Sequence, residues 1–282
     1  MRKLKEYLNK PLSFAVFLLI IISTLITALT VVFIIGYIFI KGVPNLSLDL
    51  FSLKYSSANQ SMLPSIINTV YLTALTLLLA VPIGIFSAIY LAEYSRKNSF
   101  FVKIINIANE TLSGIPSIVY GLFGFLAFVI SKKWGYSLLA GVVTLAIMVL
   151  PLIIRTSQEA MLGVDNTFRE ASYGLGAGKL RTVFKIVLPS AMPGILSGII
   201  LAIGRIVGET AALIYTAGTV PEAATKLTSS SRTISVHLYC LLNEGLYTEQ
   251  AYATAVVLIV FVVIINAVSY THLRAHETGR NL

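Results

Sequence analysis

Residues 12–40 carry no charged side chain; the run is apolar apart from a few Ser, Thr, Gly and Tyr. A helix needs about 20 apolar residues to cross the hydrocarbon core of a bilayer, whereas the core of a secretion signal takes about 7 to 15. This run is too long for a signal and has no A-x-A site behind it, so it is expected to stay in the membrane as an anchor. Five more apolar stretches follow, at residues 66–92, 113–130, 137–154, 193–218 and 251–269. Together they predict an all-α, polytopic membrane protein with six transmembrane helices. Only 12% of the 282 residues are charged. A soluble domain carries roughly 25%, so a water-soluble chain of this size could not cover its own surface.

The net charge of +9 raises nucleic acid as a partner, but the basic residues cluster beside the apolar stretches. Such placement reads as a topology signal, and no nucleic-acid partner is expected. One side collects Arg2, Lys3, Lys5 and Lys10, then Arg96, Lys97 and Lys103, then Arg155, Arg169, Lys179, Arg181 and Lys185, and last Arg274 and Arg280. The other side holds only Lys41, Lys54, Lys132, Lys133, Lys226 and Arg232, while Arg205 alone falls inside a stretch. The richer side is expected to face the cytoplasm, with both termini inside. Cys240 is the single cysteine, which excludes an internal disulfide. The outer segment 219–250 contains a stretch, 234–246, expected to form a short surface or re-entrant helix.

The inner loop, residues 155–192, carries the strongest motif. Its stretch 165–189 reads DNTFREASYGLGAGKLRTVFKIVLP. Thr167 with Glu170 three residues on forms a capping box, which predicts a helix starting at Phe168. That helix should stop near Leu175 and Gly176, where glycine can take the left-handed cap. A second helix should follow, because Leu180, Val183, Phe184, Val187 and Leu188 form one apolar stripe at helical spacing. Pro189 is expected to end it. A helix–turn–helix here is suited to receive a partner and pass movement to the spans.

The segment GLGAGK at residues 174–179 imitates a phosphate-cradling loop and fails the test. Tyr173 stands where that loop needs its first glycine, and Leu180 replaces the Ser or Thr that would hold magnesium. The segment also follows a helix, not a strand. No ATP binding or catalysis is expected of this chain.

Glu170-Ala171-Ser172, three residues, Gly176, nine residues, then Ile186-Val187-Leu188-Pro189 resemble the EAA-type loop of ABC-importer permeases. In that family the loop forms the coupling helix that docks in a cleft of a separate ATPase subunit. The resemblance implies that role for Glu170, Ala171, Ser172, Gly176, Ile186, Leu188 and Pro189. A plainer reading makes Glu170 a cap and Gly176 a stop, but leaves the downstream pattern without a reason.

Arg205 and Glu209 lie in GRIVGETAALIYTAG, within the fifth stretch. Four residues apart, they are expected on one face of a helix. A charge at mid-membrane costs about 2.5–3.5 kcal/mol on insertion scales, so such residues default to function. Two readings stand. The pair can lock the bundle as an internal ion pair. It can also handle an anion, since a guanidinium offers a planar fork of donors to phosphate or carboxylate. A neighbouring carboxylate would then accept the proton that phosphate carries and sulfate lacks at neutral pH. Gly194 with Gly198, and Gly204 with Gly208, are spaced for close helix approach and read as packing positions.

Two further segments narrow the resemblance. SGIPSIVYGLFG at residues 113–124, and PGILSG with GRIVGETA in the fifth stretch, are similar to the phosphate-specific permeases. The GETAAL continuation looks more like a PstA-type subunit than its PstC partner. The resemblance covers residues 65–269 and implies the type I ABC-importer permease fold in a bacterial or archaeal cell membrane. It also implies a PstC-like permease subunit, a PstB-like ATPase dimer, an extracytoplasmic PstS-like phosphate-binding protein, and no cofactor. Arg205 and Glu209 would line the translocation path.

Arg155, in LPLIIRTSQEA, is a further path candidate whose plain reading is a positive-inside anchor. The chain divides into an N-terminal helix and outer loop (1–64), a permease domain (65–269) and a polar tail (270–282). That tail departs from the family pattern, and its His272 and His276 are not expected to bind metal. Two other readings stay open: a permease for molybdate or tungstate, and an ion-coupled secondary transporter, in which the EAA-type loop has no role.

Overall fold

A computed structural model describes residues 11–95 and 99–278. Helix α1 (Pro11–Gly42) leads through two short 3-10 turns, Val43–Asn45 and Leu48–Phe51, into α2 (Leu63–Ile89), which ends in a π turn, Tyr90–Tyr94. Next come α3 (Phe100–Ser113) and α4 (Ser117–Gly124), the latter prolonged by a π turn, Phe125–Ser131. Helix α5 (Leu138–Leu162) precedes the short α6 (Asn166–Gly174). A single turn, α7 (Lys179–Thr182), runs through a π turn, Val183–Val187, directly into α8 (Leu188–Gly208). The chain closes with α9 (Ala211–Thr216), α10 (Ile234–Glu244) and α11 (Thr248–Thr278). No strand occurs among the described residues.

Five uninterrupted helical segments are long and apolar enough to cross a membrane: Leu12–Asn45, Leu63–Tyr94, Leu138–Leu162, Lys179–Gly208 and Thr248–Ala267. The pair Val102–Ser113 and Ser117–Ser131, bent by 102°, is long and apolar enough only when taken together, as a broken span or a re-entrant segment. The bend is local chemistry. Gly114 and Ile115 precede Pro116, which sits in an extended conformation (φ −58°, ψ 141°) as the N-cap of α4. The third apolar stretch, expected to span from residue 113, therefore starts its helix at Ser117.

Three boundaries correct the sequence reading. Helix α5 runs on to Leu162, so Arg155 lies inside it rather than in a loop after the fourth span, and Arg205 is not alone within a helical span. Pro189 does not end the second loop helix; Lys179–Gly208 is continuous over 30 residues. The π turn at Val183–Val187 absorbs the proline, because a widened turn relieves the clash between its ring and the carbonyl one turn back. The segment between the two long helices shrinks to residues 163–178. At the C-terminus, α11 carries the backbone of the expected tail on as helix to Thr278. Arg2, Lys3, Lys5, Lys10, Arg96, Lys97 and Arg280, used above for orientation, lie outside the described residues. The expected outer helix is present as α10.

Helix α5 is the centre of the bundle: 67% of its apolar window is buried, against 0% for α1. It packs on α2 where Gly84 meets Ile153, and on α8 where Gly194 meets Ala160 and Gly198 meets Thr156. A methyl group at Gly194 would come within 2.6 Å of the Ala160 Cβ, so the packing reading of that glycine pair holds. Gly204 and Gly208 differ: a Cβ on either would meet nothing within 4 Å in this chain. Helix α1 lies at the periphery, joined to α11 through Gly42 against Tyr252 and the edge-on ring pair Tyr37–Tyr252 at 5.9 Å.

Candidate functional site

The loop expected to dock a partner is built from two caps and one buried hydrogen bond. Asp165, not Thr167, caps α6: its carboxylate accepts the Thr167 backbone N–H and the Thr167 hydroxyl, both at 2.9 Å. Those bonds hold the Asp165 carboxyl below the ordinary carboxylate range. Aspartate competes with threonine for an N-cap, and here it sits two residues earlier. Glu170 is accordingly exposed on α6 and not part of a capping box. The end of α6 is as expected. Gly176 takes φ +80°, the Gly176 N–H reaches the Tyr173 carbonyl at 2.9 Å, and the Ala177 N–H reaches Ser172 at 3.1 Å. That is a Schellman cap.

Ser172 is buried, and its hydroxyl pairs with Thr182 at 2.8 Å, fixing α6 against α7. Around this joint the loop exposes Phe168 (55%), Leu175 (90%) and Leu180 (65%). Of the predicted coupling residues, Glu170, Ala171 and Pro189 are exposed, Ile186 and Leu188 half-buried. Beneath the loop Val183, Val187, Ala191 and Ile195 pack with Ala88, Ile89 and Met161 in one cluster. The end of α2, the end of α5 and the start of the long helix thus form a block.

The loop's strongest polar contact was not legible in the sequence. Arg169, counted above only as a basic residue, donates to Glu93 from Nε at 3.1 Å and from Nη2 at 2.7 Å. Its Nη1 reaches the Val164 carbonyl at 2.7 Å and Asn166 Oδ1 at 3.3 Å, and Nη2 also reaches the Met161 carbonyl at 2.8 Å.

The second site is the break after α8. Glu209 is not on the helical face with Arg205. It has left the helix, extended at φ −71° and ψ 129°. Its Oε1 accepts the Ala212 N–H at 3.1 Å, and its carbonyl accepts the Ser235 hydroxyl at 2.6 Å. The carboxylate is thereby drawn into holding the turn into α9, and Glu209 is buried (8% exposed). Helix α9 then lies close on α4, since a Cβ at Gly121 would stand 2.8 Å from the Ala212 Cα. Arg205 is half-buried in the last turn of α8 and acts electrostatically on Tyr120 of α4. Among the described residues it forms no ion pair; the two found are Arg155–Glu159 and Arg169–Glu93.

Arg155 is not brought to Arg205. Its neighbour Thr156 packs on Gly198, and Arg205 lies further along α8 by about 10 Å at 1.5 Å per residue. Arg155 instead donates to Glu159 at 2.9 Å and borders a cavity of about 240 Å³ with Asn106, Asn109 and Glu110. At the opposite end of the bundle Arg232 is buried (4% exposed) over the Tyr55 ring at 4.7 Å, beside the fully buried His237. No cluster of three or more His, Cys, Asp or Glu residues arranged to hold a metal occurs among the described residues.

The helix order, the bent helix pair and the exposed pair α6–α7 are those of a transmembrane permease subunit. Residues 80–278 match the family described as binding-protein-dependent transport system inner membrane component. The chain belongs to that family.

Two relatives give the measure. One is a probable ABC transporter permease protein, YqgI, of Bacillus subtilis (strain 168), 32% identical over 82% of this chain and 84% of its own length. The other is the phosphate transport system permease protein PstA of Pasteurella multocida (strain Pm70), 35% identical over 94% and 93%. Among solved structures, a bacterial alginate ABC transporter in complex with its periplasmic protein superposes with a TM-score of 0.65 at 17% identity, covering 95% of this chain and 96% of that one. The MetNI methionine ABC transporter gives 0.58 at 17% identity, covering 76% and 93%. The fold is that of the type I ABC-importer permeases.

Proposed function

We propose that this chain is the transmembrane permease subunit of an ATP-driven phosphate importer. The observation that carries the reading is Arg205: a half-buried guanidinium, in no ion pair among the described residues, in the last helical turn before a break in the span. A cation kept unpaired within a span favours an anion as its partner. Relatives named as phosphate transport permeases supply the anion's identity. Arg205 and Glu209 line the path, and Arg155 lies nearer its cytoplasmic end. Glu170, Ala171, Ser172, Gly176, Ile186, Leu188 and Pro189 form the coupling loop.

The working complex contains a PstC-like permease subunit, a PstB-like ATPase dimer that hydrolyses ATP, and a PstS-like phosphate-binding protein. Both termini face the cytoplasm of a bacterial or archaeal cell. Residues 65–269 are the permease domain, residues 1–64 an added span with its outer loop, and residues 270–282 a tail.

Uptake of radiolabelled phosphate by proteoliposomes holding the reconstituted complex tests the reading. Uptake should need ATP, survive collapse of the ion gradients, and be competed by arsenate but not by sulfate or molybdate. Competition by molybdate would reassign the substrate. Uptake driven by an ion gradient without ATP would make the chain a secondary transporter.

A further inference from the structure

The contact between Arg169 and Glu93 joins two parts of the chain 76 residues apart. Glu93 stands in the π turn Tyr90–Tyr94 that ends α2, and Arg169 stands on α6. The pair is largely buried, with side chains 13% and 6% exposed. A guanidinium has five N–H donors. Those of Arg169 serve Glu93, the Val164 and Met161 carbonyls and Asn166, in five hydrogen bonds. One side chain therefore ties together α6, the end of α5 and the end of α2.

A second tie crosses from the other arm of the loop: Lys179 Nζ sits 4.9 Å from the centre of the Tyr94 ring. The π turn of α2 is held from both helices of the docking loop. The turn itself is finished by the Ser95 N–H on the Tyr90 carbonyl at 2.9 Å and the Ser95 hydroxyl on Leu91 at 2.6 Å. A π turn is rare, occurs mostly as a single turn within an α-helix, and is frequently found at functional sites. An ion pair anchored there passes displacement into α2, where a slack surface contact would not.

We propose that Glu93 and Arg169 form a strut through which the docking loop moves the second span, as positioning residues for the coupling of ATP hydrolysis to transport. This rests on the reading of the chain as an ATP-driven permease. With the strut intact, α6 and the end of α2 move as one body. Without it, the ATPase subunits still dock on the exposed face of the loop and turn over, but α2 no longer follows.

The test compares Glu93→Gln, Arg169→Lys and the swap Glu93→Arg with Arg169→Glu in the full reconstituted complex. Phosphate transported per ATP hydrolysed is measured beside complex yield. Glu93→Gln should lower the ratio at least tenfold at unchanged yield and basal hydrolysis, and the swap should not recover it, since a carboxylate at position 169 would face the Val164 and Met161 carbonyls. An assembled Glu93→Gln complex with the parent ratio overturns the strut. Should the variants fail to assemble, spin labels at Tyr90 and Thr167 in a Cys240→Ser background carry the test with the pair intact. Their separation should stay constant between nucleotide-free and ATP-bound complexes, and a change on ATP binding overturns the proposal. A parent complex without ATP-driven uptake would instead remove the functional reading.

Discussion

Glu209 Oε1 accepts the Ala212 N–H at 3.1 Å across the break after α8, so this carboxylate secures the turn and leaves Arg205 without an ion pair among the described residues. The two residues look like a helical pair by spacing and are not one in space. The distinction sets what each substitution should do.

Arg205→Gln should remove phosphate uptake while complex yield stays at the parent level, because Arg205 forms no ion pair among the described residues. Glu209→Gln keeps an oxygen to accept the Ala212 N–H and should fold normally, with weaker uptake and relaxed exclusion of sulfate. Glu209→Ala should cost about 0.5–2 kcal/mol in stability, the range for losing a helix cap. The swap Arg205→Glu with Glu209→Arg should stay inactive, since there is no bridge to restore. A swapped variant that transports near the parent rate would mean that the two do pair in the working protein.

At the docking loop, Glu170→Lys should abolish transport with membrane insertion intact, because the residue is exposed and caps nothing. Gly176→Trp should do the same by blocking the docked face. Gly176→Ala is the milder control: at φ +80° a Cβ costs about 1 kcal/mol, too little to unfold the chain. Co-purification of the ATPase subunit and its hydrolysis rate read the difference. Normal hydrolysis and co-purification in the Glu170→Lys complex would remove the coupling role.

Arg232 predicts a gain where a loss is usual. Its Nε and Nη2 are buried without a hydrogen-bond partner, and the Tyr55 ring is its chief compensation. A buried charge often contributes less than a well-packed apolar side chain of similar volume. Arg232→Met should therefore leave the thermal midpoint of the detergent-purified complex unchanged or raise it. A fall in the midpoint would show that the cation is satisfied in the assembly.

His237 should make the protein acid-sensitive. Burial first, and then the charge of Arg232, push its pKa down from 6.5 to about 3. The folded state holds the neutral ring, while the unfolded chain takes up a proton below pH 6.5. The stabilisation is complete above that pH and is lost as pH falls toward 3, at about 1.4 kcal/mol per unit. His237→Leu should flatten the slope of stability between pH 6.5 and 5. A parent protein whose stability is level over that window would disprove the shift.

The sequence determined every feature that depends on neighbours along the chain. Uncharged runs of spanning length set the helices, and Gly176 ended α6 where its freedom at positive φ was needed. The spacing from Glu170 to Pro189 anticipated a helix, a turn at Gly176 and a second helix, which α6 and the start of the long helix supply. Where two local signals competed, the sequence was ambiguous: Asp165 displaced Thr167 as cap, and a π turn carried the helix past Pro189.

Only the tertiary structure decided what two distant segments do to each other. Glu209 leaves the face of Arg205 because Ala212 and Ser235 hold it, and Ser235 arrives from 26 residues away. Arg169 finds Glu93 because α2 and α5 pack side by side, which places the π turn over the loop. Helical periodicity reaches three or four positions along a chain. Packing, which brings remote charges into one desolvated contact, has no such range, and it alone fixed the strut.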